Sequence, residues 1–311
     1  MTVDLDTRVH LGPLELPNPI VAASGTFGHG DEVAHLCDPA RLGAVTAKSQ
    51  ASFAWDGNPP PRLVPIGDSL VNSVGLQGPG LDHWIDHDLP ALRARGARVI
   101  ASIWGHTVED FATAAARLAD VADQVVAVEV NVSCPNLAQH GVPFGYDGTD
   151  TATVVSTVVR TLAPLPVFTK LSPDVTDLVC IAGAALDAGT TGLTLVNTAR
   201  ALLIDAELRR PALGAGAGGL SGPALRPIAL RAVADVARAR PGTPIIGTGG
   251  VTTGTDAVEL LLAGATAVGV GTATFAEPRA TLRILDELTT WCTRHGVTRI
   301  RDLTDSIGAR P

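Results

Sequence analysis

The chain has 311 residues, of which 46% are hydrophobic, and its formal net charge is −8 at pH 7. This length and hydrophobic fraction are sufficient for one large domain with a sizeable core, and the acidic charge argues against a nucleic-acid surface. The sequence shows neither a signal peptide nor a run of about 18 apolar residues without charges, so we expect a cytoplasmic protein with no membrane insertion.

Short β-like runs alternate with longer amphipathic segments along the chain. The eight runs that we predict as strands are 20–23, 44–47, 99–103, 127–130, 167–169, 193–196, 245–247 and 267–270. The helix-like segments between them include 108–121, 152–162, 178–188, 223–239 and 255–263. This alternation predicts an α/β fold, a (β/α)8 TIM barrel, rather than a doubly wound sheet.

Two segments of the chain, 49–79 and 197–221, are longer than ordinary connections. Both follow predicted strands, so we expect long insertions at the C-terminal ends of the strands. Such insertions are usually functional lids or mobile loops, and surface loops without function are the alternative. We find no internal linker, and therefore predict a single domain.

In a barrel of this kind, the residues directly after the strands meet at one mouth, where the active site lies. Lysine occurs only there, at Lys48 and Lys170, whereas the chain has 23 lysine and arginine residues in all. A compact ammonium group differs from a planar guanidinium group and titrates more readily when buried. We therefore predict that both lysines are functional, and two ordinary surface lysines are the alternative.

The ends of the last two predicted strands are rich in glycine. The segments 247–250 and 269–272 read Gly-Thr-Gly-Gly and Gly-Val-Gly-Thr, and a helix is predicted shortly after the first of them. Barrels often bind phosphate with the loops after strands seven and eight and a short helix N-terminus. We therefore predict a phosphate cradle, and tight turns without a ligand are the alternative.

Cys134 follows the fourth predicted strand directly. The four cysteines are far apart and form no CxxC pair, so we expect no metal site. Because the motif also lacks a histidine, Cys134 is better interpreted as a thiol that exchanges a proton than as a protease nucleophile; a small buried hydrophobic residue is the alternative. Four asparagines that can read the amide edges of a planar ring accompany it: Asn72, Asn131, Asn136 and Asn197.

Several segments resemble dihydroorotate dehydrogenases, in order and with few gaps, from about residue 11 to residue 275. These segments are 18–28, 72–77, 131–136, 170–173, 218–223 and 247–250. The cysteine in the loop after the fourth strand is similar to that of the class 1 enzymes. The Ser-Gly-Thr-Phe-Gly and Gly-Leu-Ser-Gly-Pro segments look most like the 1B subclass.

The resemblance implies a single FMN-binding barrel domain over residues 1–311 that oxidises dihydroorotate to orotate in pyrimidine biosynthesis. It implies hydride transfer to FMN, with Cys134 as the general base and with Lys48 and Lys170 as further catalytic residues. The implied cofactor contacts are Ser24, Lys48, Ser49, Ser102, Asn131, Lys170, Val196, Gly222, Gly249, Gly250, Gly271 and Thr272. The implied substrate contacts are Lys48, Asn72, Ser73, Val74, Gly75, Leu76, Asn131, Asn136, Asn197 and Thr198.

The resemblance further implies a homodimer core and a separate electron-transfer subunit that carries FAD and an iron–sulfur cluster. Two positions depart from the family pattern, because Gly78 and Ser102 stand where many relatives have asparagine. Two related activities are alternatives: an FMN enzyme that acts on dihydrouracil, and a fumarate-using class 1A enzyme. A non-catalytic barrel that binds a phosphate ligand is a more distant alternative.

Overall fold

A computed structural model describes residues 5–134 and 143–307 of the chain. Eight parallel strands close into a barrel in which neighbours in the chain are also neighbours in the sheet. They are β1 (Ile20–Ala22), β2 (Ala44–Thr46), β3 (Val99–Ile103), β4 (Ala127–Asn131), β5 (Val167–Leu171), β6 (Gly192–Leu195), β7 (Ile245–Thr248) and β8 (Ala267–Val270). The predicted (β/α)8 barrel is confirmed, with small shifts of the strand ends.

Helices cover the outside of the barrel. They are α1 (Leu81–His83), α2 (Leu89–Ala94), α3 (Val108–Ala119), α4 (Gly148–Leu162), α5 (Leu178–Asp187), α6 (Arg226–Ala239), α7 (Gly254–Leu262), α8 (Ala273–Ala276) and α9 (Ala280–Arg294). The five predicted helical segments are confirmed, although residues 223–225 form a separate 3-10 turn before α6. Between β1 and β2, where every residue is described, the only helical element is a 3-10 turn at Pro39–Arg41.

The barrel strands are buried on both faces, as the helical layer requires. Side chains at odd positions of β4 share one face, because successive residues of a strand alternate. Glu129 and Asn131 lie on that face, and Glu129 is in register with Ser102 of β3. Polar side chains therefore extend from the mouth into the apolar barrel.

The two long insertions are structured in part. Strands at Leu63–Ile66, Ser69–Asn72, Gly218–Ser221 and Ala199–Ala201 form a four-stranded antiparallel sheet. Gly219 stands opposite Asn72 in this sheet, and a Cβ atom at the neighbouring Gly218 would lie 2.5 Å from the Asn72 carbonyl oxygen. Glycine therefore lets the two insertions approach closely. The prediction of long insertions at the strand ends is confirmed.

Within the described ranges, we find no helix with the length and apolar character needed to cross a bilayer.

Candidate active site

A cavity opens at the C-terminal ends of the barrel strands, and residues of the four-stranded sheet form part of its wall. Most of the predicted site residues line it: Ser24, Lys48, Ser49, Asn72, Val74, Gly75, Leu76, Asn131, Cys134, Lys170, Val196, Asn197, Thr198, Gly222, Gly249, Gly250, Gly271 and Thr272. The fold thus brings together residues that are up to 248 positions apart in the chain.

Two predicted site residues do not line the cavity, and a third lies outside the described residues. Ser73 is fully buried beside the cavity, and its backbone N–H donates to the Arg62 carbonyl. Ser102 is buried below the cavity floor and reaches it through the Ser49 hydroxyl, at 2.8 Å. Asn136 lies outside the described residues, so its predicted substrate contact stays a prediction.

A chain of hydroxyl groups runs from the cavity to a buried carboxylate. The Ser24 and Ser49 oxygens are 3.2 Å apart, and the Ser49 and Ser102 oxygens are 2.8 Å apart. The Ser102 hydroxyl donates in turn to Glu129 Oε1 at 3.1 Å. These bonds satisfy polar groups in the barrel interior, where an unpaired group would be costly.

Amide side chains form the adjoining part of the floor. Asn131 Nδ2 donates to Ser49 Oγ at 3.1 Å, and Asn131 Oδ1 accepts from Asn197 Nδ2 at 3.3 Å. Asn197 Nδ2 also donates to Ser133 Oγ at 3.0 Å. These bonds fix the orientation of both amides. Asn72 reaches the cavity from the four-stranded sheet, where its Nδ2 donates to the Gly219 carbonyl at 3.3 Å.

The two lysines have different surroundings. Lys170 Nζ lies 3.6 Å from Glu129 Oε1, and both side chains are almost fully buried. Lys48 packs against Gly25, where a Cβ atom would lie 3.7 Å from its Nζ. Burial lowers the pKa of Lys48; a negative charge at Cys134 would raise it, and the positive charge of Lys170 lowers it further. The pKa of Lys48 therefore lies below the ordinary lysine value.

This pKa shift predicts a pH-dependent stability difference. We expect Lys48→Met to raise the free energy of unfolding of the flavin-free chain at pH 7, because the unfolded chain holds the Lys48 proton more tightly than the folded chain. The gain should be complete below the lowered folded-state pKa and should vanish as the pH rises through the ordinary lysine value of 10.5. Urea unfolding at a series of pH values measures it.

Lys170→Met is the matched control for that experiment. It removes the other cavity ammonium but leaves Glu129 buried without its ion-pair partner, so we expect it to destabilise the fold by about 3–5 kcal/mol. A Lys48→Met chain that is less stable than wild type at pH 7 would contradict the inference that burial of the Lys48 charge destabilises the folded chain.

Cys134 lies between the cavity and an apolar cluster. Its side chain is buried and packs in a group with Ala51, Leu76 and Trp104, against which Phe53 and Trp55 also pack. The rings of Phe53 and Trp104 meet edge to face with centroids 5.7 Å apart. The Cys134 side chain thus lies between the cavity and a cluster of packed aromatic rings.

The segment after β7 combines two tight glycines with the start of a helix. Gly250 has φ +73°, and a Cβ atom there would lie 2.6 Å from Arg226 Cβ. Thr253 caps α7, because its hydroxyl accepts from the Asp256 N–H while Asp256 Oδ2 accepts from the Thr253 N–H. Backbone at Gly250 therefore closely approaches α6 and leads into the N-terminus of α7.

Glu129 and Thr248 are polar residues at the site that are not among the predicted contacts. The sequence places Glu129 within a predicted strand. It is a lone carboxylate two residues before Asn131, so both side chains lie on the same face of the strand, and this spacing could have indicated its place near the site. Thr248 lines the cavity, and its buried hydroxyl has no hydrogen-bond partner among the described residues. Its position inside the glycine-rich segment was the signal for it.

Comparison of the sequence with known proteins identifies the family of this chain. The family model described as dihydroorotate dehydrogenase matches residues 7–291. A protein of Desulforamulus reducens, named "Dihydroorotate dehydrogenase B (NAD(+)), catalytic subunit", is 44% identical over 98% of this chain and 98% of its own length.

Proteins with the same name from other bacteria are similar to the chain along nearly its whole length. That of Alkaliphilus metalliredigens is 42% identical over 97% of this chain and 99% of its own. That of Geobacter sulfurreducens is 43% identical over 98% of both chains. The resemblance predicted from the sequence motifs is confirmed, and the chain belongs to the dihydroorotate dehydrogenase family.

Proposed function

We propose that this chain oxidises dihydroorotate to orotate with FMN, in de novo pyrimidine biosynthesis in the cytoplasm, as one FMN-binding barrel domain over residues 1–311. The observation that carries the proposal is the meeting of Cys134, Lys48 and Lys170 on the wall of one cavity. The names of the relatives, which are called dihydroorotate dehydrogenases, support the choice of substrate.

The residues at the cavity fit FMN. The close-packed glycines after β7, with Gly222, Gly271 and Thr272, would hold the phosphate, because glycine lets backbone N–H groups approach an anion closely. Ser24, Lys48, Ser49, Asn131, Lys170 and Val196 line the part of the cavity proposed for the ring. The buried Thr248 hydroxyl, which has no partner among the described residues, is consistent with a polar ligand in this cavity.

Gly250→Ala tests the phosphate cradle. The added methyl group would meet Arg226 backbone at 2.7–2.8 Å and would hold an alanine at φ +73°, so the segment would have to shift. Strain of about 1–3 kcal/mol predicts FMN binding that is roughly 5- to 150-fold weaker. FMN titration of the flavin-free chain by fluorescence quenching measures the loss.

Gly242→Ala is the control for that change, because Gly242 has φ +80° but open space around its Cβ position. It should therefore lower stability modestly and leave the FMN affinity unchanged. Equal affinity losses in both variants would contradict the cradle.

The proposed reaction removes a proton from C5 of dihydroorotate and a hydride from C6. FMN bound in the cavity supplies the hydride acceptor. Cys134 accepts the C5 proton, since an ordinary thiol pKa near 8.5 is within reach of neutral pH. Lys48 would contact flavin and substrate together, and Lys170 would place a positive charge beside the flavin ring, which stabilises negative charge there.

The proposed substrate contacts surround Cys134. Asn72 and residues 74–76 line the cavity from one insertion, with Ser73 buried beside it, and Asn197 and Thr198 line it from the end of β6. Amide side chains that both donate and accept suit the amide edges of a pyrimidine ring, and a site built of such groups rejects ligands that leave them unpaired. Asn136 completes the proposed set.

Steady-state turnover of dihydroorotate against dihydrouracil tests this function. We expect turnover of dihydroorotate and little of dihydrouracil, which lacks the carboxylate. Turnover of dihydrouracil alone would establish the alternative pyrimidine oxidoreductase. A chain that stays colourless after incubation with FMN would support the non-catalytic barrel instead.

We further propose that the electrons leave through a partner subunit carrying FAD and an iron–sulfur cluster, and that the chain forms a homodimer core. The relatives are named catalytic subunits, which supports a partner. Anaerobic reduction followed by reoxidation with fumarate, or with NAD(+) and a co-purified subunit, tests this. Full turnover of the isolated chain with fumarate would favour the class 1A alternative.

A further inference from the structure

The Glu129–Lys170 pair stands apart from the other ion pairs of the described residues. It is the one in which both side chains are less than a tenth exposed, at 3% for Glu129 and 7% for Lys170. Exposed pairs of the kind found on the helices contribute little to stability. Two buried charges, in contrast, carry a desolvation cost of several kcal/mol each, so a stabilising role alone does not account for this pair.

The position of the pair connects it to the cavity. Lys170 lines the cavity and is level with Asn131 in the sheet. Glu129 lies two residues before Asn131 on the same face of β4, and is therefore deeper in the barrel. Glu129 Oε1 accepts from Ser102 Oγ at 3.1 Å, and Ser102 in turn contacts Ser49 on the cavity wall. The Glu129 oxygen that faces Lys170 is therefore also held by Ser102, which lies on the strand on the other side of β4.

The titratable groups near Lys170 come from two strands, β4 and β2. Glu129 approaches from β4, Lys48 lies at the end of β2, and Cys134 follows β4 and interacts with Lys48. The neighbour of Lys170 on β6 is the uncharged Thr194. Two like charges share the cavity wall, and Glu129 is the carboxylate that offsets them.

We propose that Glu129 is a positioning residue for the reaction: it holds Lys170 in its protonated form at a fixed place beside the flavin site, with Ser102 anchoring the carboxylate. The inference deepens the proposed function and rests on the flavin site described there. Glu129 itself touches neither substrate nor flavin in this proposal. Its effect passes through the charge of Lys170.

The proposal implies that Lys170 would gain or lose its proton within the measured pH range only when Glu129 is removed. In Glu129→Gln, Lys170 would be a buried ammonium group beside Lys48 without a counter-charge, and such groups lose their proton well below the ordinary lysine range. The flavin would then be next to a charged Lys170 at low pH and a neutral one at high pH. In wild type, where Glu129 is present as the counter-charge, we expect no such pH-dependent difference.

The experiment compares four FMN-loaded chains: wild type, Glu129→Gln, Lys170→Met and the double variant Glu129→Gln/Lys170→Met. The flavin midpoint potential and the FMN dissociation constant are measured between pH 7 and pH 9. In Glu129→Gln alone, we expect the potential to fall towards the Lys170→Met value as the pH rises, beyond the slope shared by the other chains. We expect its FMN affinity to drop by about tenfold over the same range, as for the loss of one charged hydrogen bond.

Parallel pH profiles for wild type and Glu129→Gln would overturn the proposal. If Glu129→Gln does not fold, the double variant decides: recovery of folding when Lys170 is also neutral supports the pairing, and failure to recover contradicts it. A wild-type chain that binds no FMN would refute the proposed function itself, which is a different outcome from a wild-type chain that binds FMN while Glu129→Gln behaves identically.

Discussion

We expect Cys134→Ala to leave the FMN-loaded chain yellow and to slow its reduction by dihydroorotate by about 10²–10⁴-fold, the usual contribution of a positioned general base. The thiol borders the cavity, whereas the glycines of the phosphate cradle lie at the ends of β7 and β8. Proton removal and flavin binding therefore depend on different residues. Anaerobic stopped-flow absorbance at the flavin band measures the reduction rate directly.

Cys180→Ala is the matched control, because Cys180 is an exposed cysteine on α5. It should leave the reduction rate unchanged. In wild type, the rate should rise with pH through the thiol pKa, because the thiolate is the form that accepts the proton. Undiminished reduction in Cys134→Ala would refute the role of this thiol as the base.

We expect Lys170→Arg to lower the rate of flavin reduction by about 10²–10³-fold, the usual loss when a fixed charge in a site is displaced. The positive charge is kept in this variant, so the lower rate would come from the different shape of the guanidinium group. Lys170 is 6% exposed and its Nζ lies 3.6 Å from Glu129 Oε1, which leaves little room for a planar guanidinium group. The same stopped-flow measurement detects the change.

Arg238→Lys is the reverse exchange at an exposed position of α6, where the side chain is 78% exposed, and it should have no effect. Normal reduction in Lys170→Arg would mean that the scarcity of lysine in this chain is only a bias of composition. It would also remove the ground for assigning Lys170 a separate task from Lys48.

The barrel was predictable because its strands are short, continuous apolar runs that are buried on both faces. The four-stranded sheet at the mouth was not, since one of its strands reads Gly-Gly-Leu-Ser and has weak strand propensity. Its pairing with Ser69–Asn72 depends on the close approach that Gly218 permits. Such long-range pairing leaves no local signal in the sequence.

The position of the candidate site at the strand ends could be predicted from the barrel architecture. How deep in the barrel each polar side chain lies could not. Residues directly after the strands reach the cavity, as the barrel architecture requires. Ser102, one of the predicted flavin contacts, lies inside β3 and hydrogen-bonds to Ser49 and Glu129, so it adjoins the cavity only through Ser49, and its flavin contact stays a prediction. Which layer of the barrel a polar residue occupies depends on strand stagger, and a single strand does not reveal that stagger.

The central claim is that this chain transfers a hydride from dihydroorotate to FMN in the cavity that contains Cys134, Lys48 and Lys170. An anaerobic titration of the FMN-loaded chain with dihydroorotate, followed by flavin absorbance and orotate formation, tests it most directly. The account predicts bleaching of the flavin band with one orotate formed for each flavin reduced. Flavin that stays oxidised in excess dihydroorotate, while a chemical reductant bleaches it, would contradict the account.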